Sequence, residues 1–333
     1  EAWTELEDRS EQRIRSTREE IERQSAHYAS LKDELAELQG EDPLVPVCVD
    51  EAQVAAVVSS MTGIPVGRMV TDEIRAVLSL RDDLKRRVVG QDQALDAISR
   101  RIRTYRATLD EPGKPVGVFL LVGPSGVGKT ETAVALSELL SGGERAMITI
   151  NISEYQEAHT VSGLKGAPPG YVGYGSGGVL TEAVKRNPYS VLLLDEVEKA
   201  HADVMELFYQ VFDKGTLEDG EGQIVDFKNT IILLTSNVGS EAIMAACGAG
   251  GRPDAAALSE LVRSELVRQF KAALLGRMVV VPYYPLAEQD LRTIVALKLD
   301  KIVHRFAENH GAILTYDRAI LDDVVSRCTE AET

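Results

Sequence analysis

One stretch of eight residues has the composition and spacing of a phosphate-binding loop. It reads Gly123-Pro124-Ser125-Gly126-Val127-Gly128-Lys129-Thr130. An apolar run precedes it at 116–122, and a helix-prone stretch follows at 131–140. Glycines let backbone N–H groups curl around a polyphosphate, and the helix N-terminus adds its positive dipole end. Lys129 would neutralise phosphate charge and Thr130 would offer a hydroxyl to Mg²⁺, so the motif predicts a P-loop for a nucleotide such as ATP rather than a plain glycine-rich turn.

Two acidic residues follow a second apolar run. The run 191–194 leads directly into Asp195 and Glu196. In a P-loop ATPase the first acid at such a position holds the Mg²⁺ shell, and the second polarises the attacking water. Because adjacent carboxylates at the end of a buried strand repel each other, a nearby cation explains the pair better than an ordinary acidic strand end. We therefore predict that Asp195 binds magnesium and that Glu196 is catalytic.

A third apolar run, 230–235, ends at Ser236 and Asn237. An amide at this place would lie beside the γ-phosphate and could orient the water. A turn-forming asparagine is an equally good interpretation from these residues alone.

Strand and helix patterns alternate along most of the chain. We predict strands at 116–122, 146–150, 191–194, 230–235 and 278–281, with helices between them at 131–140, 179–186, 204–214 and 255–271. Two earlier helical patterns lie at 72–86 and 91–108. The alternation predicts an α/β fold whose parallel sheet is covered by helices on both faces. After Pro285 the pattern is only helical, which indicates the start of a small helical lid.

The first 39 residues are rich in charged side chains. Apolar residues recur at every seventh position, namely Ile14, Ile21, Tyr28 and Leu35. This weak heptad pattern predicts a coiled-coil-like helix, and a solvated linker helix is the alternative interpretation.

Composition excludes several classes of protein. A formal net charge of −16 argues against general binding to nucleic acid or to an anionic membrane, since both require a positive field. No apolar run has the length of a membrane span and no signal-peptide pattern is present, so we expect a cytoplasmic protein without membrane insertion. Cys48, Cys247 and Cys328 are far apart, and the histidines lack ligand spacing, so neither a disulfide framework nor a zinc site is expected.

Four motifs together resemble the second AAA+ module of the Clp-type ring ATPases. They are the loop 123–130, the acidic motif Asp195-Glu196-Val197-Glu198-Lys199-Ala200-His201, the polar run Thr235-Ser236-Asn237, and Gly170-Tyr171-Val172-Gly173-Tyr174. The resemblance covers nearly the whole chain and implies an AAA+ P-loop NTPase fold. It implies ATP and Mg²⁺ as cofactors, a homo-oligomeric ring expected to be a hexamer, and a polypeptide substrate.

The resemblance also implies domain boundaries. The end of a coiled-coil middle domain would occupy 1–40, and a linker with the first helices of the module would occupy 41–110. The large P-loop subdomain would span 111–282, and part of the helical lid would span 283–333.

Further site residues follow from the family pattern alone. Ile64, Val88 and Val89 match the segments that pack on adenine. Arg277 occupies the position of the arginine finger, which reaches the γ-phosphate of the neighbouring subunit. Such a finger contributes about 10³- to 10⁵-fold in related phosphoryl transfers.

The family pattern also assigns a substrate-gripping loop. Gly170, Tyr171, Val172 and Gly173 match the axial pore loop, in which Tyr171 would grip a threaded polypeptide. An aromatic ring packs on any polypeptide with little sequence preference, and flanking glycines let the loop move. The Gly- and acid-rich segment 213–227 would form a second loop facing the channel.

Some family features are not found within the sequence. The family's lid arginine would lie beyond Thr333, so we expect the chain by itself to hydrolyse ATP poorly. Because the helical pattern is already under way at Glu1, we expect a part of a longer protein. Between Ser240 and Phe270 there is no Ile-Gly-Phe-like or Leu-Gly-Phe-like tripeptide, which peptidase-docking members carry, so no peptidase partner is expected.

Within the Clp type, the run 278–286 after Arg277 resembles the ClpV family more than the ClpB family. The ClpV resemblance implies disassembly of contracted type VI secretion sheath by threading, in the bacterial cytoplasm. A ClpB-like disaggregase is the next interpretation, and a nucleotide-dependent scaffold without hydrolysis is an alternative of another class. A nucleic-acid-acting AAA+ protein is disfavoured by the negative charge and by the Gly170–Gly173 motif.

Overall fold

The structure is a computed structural model, and it describes residues 2–39, 49, 54, 57–58, 69–107, 113–141, 146–170, 175, 177–248 and 251–330. The chain divides into two compact units, Glu1–Ala55 and Ala56–Thr333. The first unit contains helix α1, Ala2–Gln39. The apolar heptad side chains Ile14, Ile21 and Tyr28 are exposed on it. Pairing of this helix with a partner therefore stays a prediction.

The second unit is an α/β domain. Its helices in the described residues are α2 (Met69–Arg87), α3 (Asp92–Arg106), α4 (Lys129–Ser141), α5 (Val161–Lys165), α6 (Val179–Arg186), α7 (Ala202–Lys214), α8 (Ser240–Gly248), α9 (Ala255–Gln269), α10 (Ala272–Leu275), α11 (Glu288–His310) and α12 (Arg318–Glu330). Its strands are β1 (Gly117–Val122), β2 (Met147–Asn151), β3 (Val191–Asp195), β4 (Thr216–Glu218), β5 (Ile224–Asp226), β6 (Ile231–Ser236) and β7 (Val279–Pro282). Within the described residues, none of the helices combines the length and the apolarity that crossing a bilayer requires.

Five strands form one parallel sheet in the order β2-β3-β6-β1-β7. All five predicted strands are present within two residues of their expected bounds. The side chains of β1 alternate between two apolar clusters, because successive residues of a strand point to opposite faces. Leu120 and Val122 pack in one cluster, and Phe119 and Leu121 pack in the other, so both faces of the sheet are covered. The predicted doubly covered sheet is therefore confirmed.

The register brings the carboxyl ends of three strands to one edge of the sheet. Val122 lies beside Ser236, and Leu194 lies beside Leu234. The residues that follow β1, β3 and β6 are therefore neighbours, although the sequence separates them widely. In open α/β sheets, ligands bind at this edge.

The segment 213–227 differs from the expected loop. It contains the end of α7 and a hairpin of β4 and β5, in which Leu217 and Val225 are buried. Gly215 ends α7 at φ 61°, in the left-handed region that glycine tolerates. Burial of one side chain from each short strand holds the hairpin against the domain.

Candidate functional site

The glycines of the loop 123–128 take backbone conformations that other residues avoid. Gly123, Gly126 and Gly128 have φ values of 152°, 79° and 101°. A Cβ at Gly123 would lie 2.7 Å from the carbonyl oxygen of Tyr283, so no larger residue fits there. At Gly126 nothing lies within 4 Å of a Cβ position. The loop backbone is thus open at Gly126, just before the N-terminus of α4, an arrangement that fits phosphate.

Lys129 is the first residue of α4 and is only 8% exposed. Its Nζ donates hydrogen bonds to the carbonyl oxygens of Gly123 and Pro124, the latter at 2.9 Å, and to Oδ1 of Asn237 at 2.8 Å. Burial lowers the pKa of Lys129 to about 8, and the nearby charges of Glu198 and Asp195 act in the opposite direction. A buried ammonium group at a helix N-terminus is well placed to receive an anion. Thr130, the next residue, is exposed.

Asp195 and Glu196 lie at the end of β3, beside the end of β6. The hydroxyl of Thr235 donates a hydrogen bond to Oδ1 of Asp195 and accepts one from the N–H of Glu196 at 3.2 Å. Glu196 has φ 57°, and it is the one non-glycine residue with positive φ among the described residues. Such a conformation costs about 1–2 kcal/mol for an L-residue and is typical of functional positions. The carboxylate of Glu196 pairs with Lys199 at 2.8 Å.

Asn237 connects Lys129, at the end of the phosphate loop, to Glu198, in the acidic motif after β3. Its side-chain oxygen accepts from Lys129, and its backbone N–H donates to Oε1 of Glu198 at 3.1 Å. The second oxygen of Glu198 is buried without a hydrogen-bond partner. Glu198 belongs to the acidic motif 195–201, but the sequence alone indicates no role for it. Its contact with Asn237 depends on the adjacency of β3 and β6, which residue spacing does not reveal.

A cavity of about 240 Å³ adjoins the phosphate loop. Its apolar lining includes Val88, Val89, and Ile294 and Leu297 of α11. Apolar walls of this kind suit a flat heterocyclic base. Val88 and Val89 thus lie beside the loop, and their packing on adenine stays a prediction. Ile64, the third expected adenine contact, lies outside the described residues.

Ile294 and Leu297 were not among the expected site residues. The amphipathic pattern of α11 was the available signal, but an apolar helix face usually packs in a core. The charged groups of the cavity lining are Arg86, Arg87, Glu131, Lys298 and Lys301.

Arg277 lies between α10 and β7. Its Nε donates to Oδ1 of Asp213 at 3.0 Å, and its guanidinium group lies 4.1 Å from the ring centroid of Tyr209. A third contact is to the carbonyl oxygen of Ala273 at 2.8 Å. These partners are on α7 and α10, and none of the hydrogen bonds of Arg277 to the described residues reaches the phosphate loop of its own chain.

Of the expected pore loop, Gly170 is described and exposed, while Tyr171, Val172 and Gly173 lie outside the described residues. The backbone before the loop packs against the turn between β4 and β5, and the backbone after the loop packs against residues 164–166. A Cβ on Gly178 would lie 2.2 Å from the carbonyl oxygen of Leu164, and one on Gly220 would lie 2.6 Å from the carbonyl carbon of Gly166. The N–H of Gly220 donates to the carbonyl oxygen of Lys165 at 2.8 Å.

A charged contact reinforces this packing. Asp219, in the turn between β4 and β5, is almost fully buried and pairs with Lys185 of α6 at 2.6 Å. The hydrogen bond from Lys185 and two backbone N–H groups lower the pKa of Asp219 against the opposing effect of burial, which is the largest single influence on it.

Comparisons with known proteins agree with this geometry. The family model described as AAA domain (Cdc48 subfamily) matches residues 114–281. The chain is 56% identical to the AAA+ ATPase ClpV1 of Pseudomonas aeruginosa over 318 residues, which are 95% of this chain and 35% of that protein. It is 55% identical to the chaperone protein ClpB of Yersinia enterocolitica over 306 residues, or 92% of this chain and 34% of that protein.

A solved structure gives the same result for the fold. The closed state of Hsp104 with ATPγS and FITC casein aligns with a TM-score of 0.69 and 37% identity, over 78% of this chain and 45% of that one. The chain spans about a third of the length of the curated relatives it matches. By its matched domain and by these identities, the chain belongs to the AAA+ ATPases, as a second AAA+ module of the Clp type.

Proposed function

We propose that this chain is the ATP-hydrolysing module of a ring-forming protein that threads polypeptide through its central pore. The observation that carries the proposal is the convergence of Lys129, Asn237, Asp195 and Glu196 at one edge of the sheet, beside the glycine-rich loop. A charged amine, an amide and two carboxylates at the end of a phosphate loop are the groups that phosphoryl transfer to water requires.

Each residue then has a role. The N–H groups of residues 123–130 and the ammonium group of Lys129 bind the phosphates. Glu196 takes the proton of the attacking water, and Asn237 orients that water beside the γ-phosphate. The positive φ of Glu196 supports this role, since strained backbone conformations cluster at functional sites.

The donor set also fits a magnesium ion. Mg²⁺ prefers oxygen ligands, and the hydroxyl of Thr130 and the carboxylate of Asp195 would hold it. The hydrogen bond from Thr235 fixes the orientation of that carboxylate. When bound, the ion neutralises charge that develops on the phosphates.

Arg277 would act on a neighbouring subunit. Its contacts in this chain are with α7 and α10, which leaves the phosphate loop of the same chain without it. In a homo-oligomeric ring, proposed to be a hexamer, Arg277 would reach the γ-phosphate of the nucleotide bound to the adjacent subunit.

A polypeptide substrate is supported by the relatives. The Hsp104 structure was solved with casein, and ClpB is named a chaperone. We propose contracted type VI secretion sheath as the substrate, in the bacterial cytoplasm, because the run 278–286 resembles the ClpV family. A ClpB-like disaggregase is the second candidate, supported by an identity of 55% that nearly equals the 56% to ClpV1. A nucleotide-binding scaffold without hydrolysis is the third.

A trap experiment separates these candidates. The intact protein with Glu196→Gln is incubated with ATP and, in parallel, with contracted sheath, heat-aggregated protein and fluorescein-labelled casein. Preferential retention of sheath supports the sheath proposal, whereas preferential retention of aggregates supports a disaggregase. Failure to retain any polypeptide while ATP is bound would support the third candidate, a nucleotide-binding scaffold without hydrolysis.

The proposed grip of Tyr171 has its own test. Tyr171→Ala should abolish retention and remodelling of polypeptide. Measuring ATP hydrolysis in parallel distinguishes a lost grip from a lost active site, and unimpaired remodelling would remove Tyr171 from the mechanism.

A further inference from the structure

Gln91 is fully buried, and its amide group uses all of its hydrogen-bonding atoms. Its Oε1 accepts from the N–H of Tyr284 at 3.0 Å, and its Nε2 donates to the carbonyl oxygen of Tyr284 at 2.9 Å. The remaining proton of Nε2 points to the carbonyl oxygen of Val127 at 3.2 Å, inside the phosphate loop. The side chain therefore joins the phosphate loop to the segment 283–287, which connects β7 to α11.

Tyr283 makes a second connection between the same two parts. It is fully buried, and its N–H donates to the carbonyl oxygen of Val122, directly before the loop, at 2.8 Å. Its hydroxyl lies 2.8 Å from Oγ1 of Thr132, which itself donates to the carbonyl oxygen of Gly128 at 2.9 Å. Because Thr132 has one proton and donates it to Gly128, the hydroxyl of Tyr283 is the donor in the other bond.

The connected segment also leads to the wall of the base cavity. It enters α11, the helix that contributes Ile294 and Leu297 to that cavity. One end of the nucleotide site is the loop 123–128, and the other end is this helix. The hydrogen bonds of Gln91 and Tyr283 reach Val122, directly before the loop, and, in one case through Thr132, the last two loop residues, Val127 and Gly128.

We propose that Gln91 and Tyr283 are positioning residues that set the phosphate loop and helix α11 at a fixed spacing. A nucleotide contacts the loop with its phosphates and the cavity with its base, so its affinity depends on that spacing. Neither side chain needs to touch the nucleotide. The inference concerns the nucleotide site alone, and it holds whether or not the ring threads polypeptide.

Core packing is the competing explanation, since buried polar groups must be hydrogen-bonded in any protein. The two explanations differ in what nucleotide binding reports. A packing role lowers the stability of the protein with and without nucleotide by similar amounts. A positioning role weakens nucleotide binding while the protein is still fully folded.

The experiment compares two tyrosines that each donate one hydroxyl hydrogen bond. Tyr283→Phe removes the bond to Thr132, and the matched control Tyr316→Phe removes a 2.7 Å bond to Asp300 in the C-terminal helical segment. Affinity for mant-ADP is measured by fluorescence in the intact protein, with its other nucleotide site silenced, at a temperature where circular dichroism shows every variant folded. One lost hydrogen bond corresponds to roughly 3- to 10-fold in affinity.

We expect Tyr283→Phe to weaken mant-ADP binding by roughly that factor and to raise KM for ATP with little change in kcat. Tyr316→Phe should bind as the parent does. Equal affinities of Tyr283→Phe and the parent would overturn the proposal, and so would equal weakening by both variants, which would indicate general loosening.

Gln91 is tested with the pair Gln91→Leu and Gln93→Leu. Gln93 accepts a hydrogen bond from the hydroxyl of Tyr284 and has no bond to the loop in the described residues. Only Gln91→Leu should weaken mant-ADP binding. If Gln91→Leu fails to fold, the proposal is tested instead by measuring hydrogen exchange of the amides of 283–287 in Tyr283→Phe, with and without ADP. Loss of the slowing that ADP causes in the parent supports the proposal, and retention of that slowing overturns it.

Discussion

Nζ of Lys129 lies 2.8 Å from Oδ1 of Asn237, although the two residues are 108 positions apart in the sequence. The adjacency of β1 and β6 produces this contact, because each strand ends at the same edge of the sheet. Glu198 holds the backbone of Asn237 from the other side. The group proposed to bind phosphate and the group proposed to orient water are therefore set in position together.

Nucleotide binding should be accompanied by proton uptake at alkaline pH. Burial lowers the pKa of Lys129 to about 8, and an arriving phosphate favours the charged form and raises that pKa again. Uptake should therefore be about a tenth of a proton at pH 7 and about three quarters at pH 8.5, and affinity should fall as pH rises above 8. Calorimetry of ADP binding in buffers of different ionisation enthalpy measures it.

At pH 8.5 the phosphates of ADP are fully ionised and contribute no proton to this measurement, whereas at pH 7 they still bind about a tenth of a proton. The uptake at pH 8.5 therefore carries the test, and an uptake near zero at that pH would show that Lys129 is already fully charged before binding.

Glu196→Gln should bind ATP with near-parental affinity and hydrolyse it about 10²- to 10⁴-fold more slowly, since the amide cannot accept the proton of the water. Single-turnover hydrolysis and mant-nucleotide binding check the two parts. Glu206→Gln, which alters an exposed pair with Lys271, is the matched control. Normal turnover of Glu196→Gln would exclude Glu196 as the base.

The left-handed backbone of Glu196 should lower the stability of the protein, because a residue with a Cβ is strained there. Glu196→Gly and Glu196→Ala both remove the carboxylate, but only glycine adopts φ 57° without strain. The free energy of unfolding of Glu196→Gly should therefore exceed that of Glu196→Ala by about 1 kcal/mol, although both variants are inactive. Urea denaturation measures this difference. Equal stabilities would indicate that the left-handed conformation is not populated.

Arg277 can be assigned to the neighbouring site by mixing two inactive variants. Arg277→Ala retains Glu196, and Glu196→Gln retains Arg277, so a mixed ring contains some interfaces with both groups. In a random equimolar ring roughly a quarter of the interfaces are complete. ATPase activity should reappear on mixing and subunit exchange. A mixture as inactive as its parts, with exchange demonstrated, would contradict action across the interface.

The strands were predictable because their apolar runs are long enough to be read directly, as in 191–194. The hairpin of β4 and β5 was not, since three-residue strands with one buried side chain each give too short an alternation. The phosphate loop and Asp195-Glu196 followed from residue types and spacing. Val88 and Val89 required the family resemblance, and the contact of Glu198 with Asn237 required the order of the strands.

Gly166, Gly178 and Gly220 meet with backbone directly against backbone. Side chains can rotate and so absorb small displacements, but backbone groups in direct contact cannot adjust in this way. The β4–β5 turn and the backbone at Gly166 and Gly178, on either side of the segment that carries Tyr171, therefore form one rigid unit. If Tyr171 grips a polypeptide as proposed, a force on that polypeptide would act on both segments together.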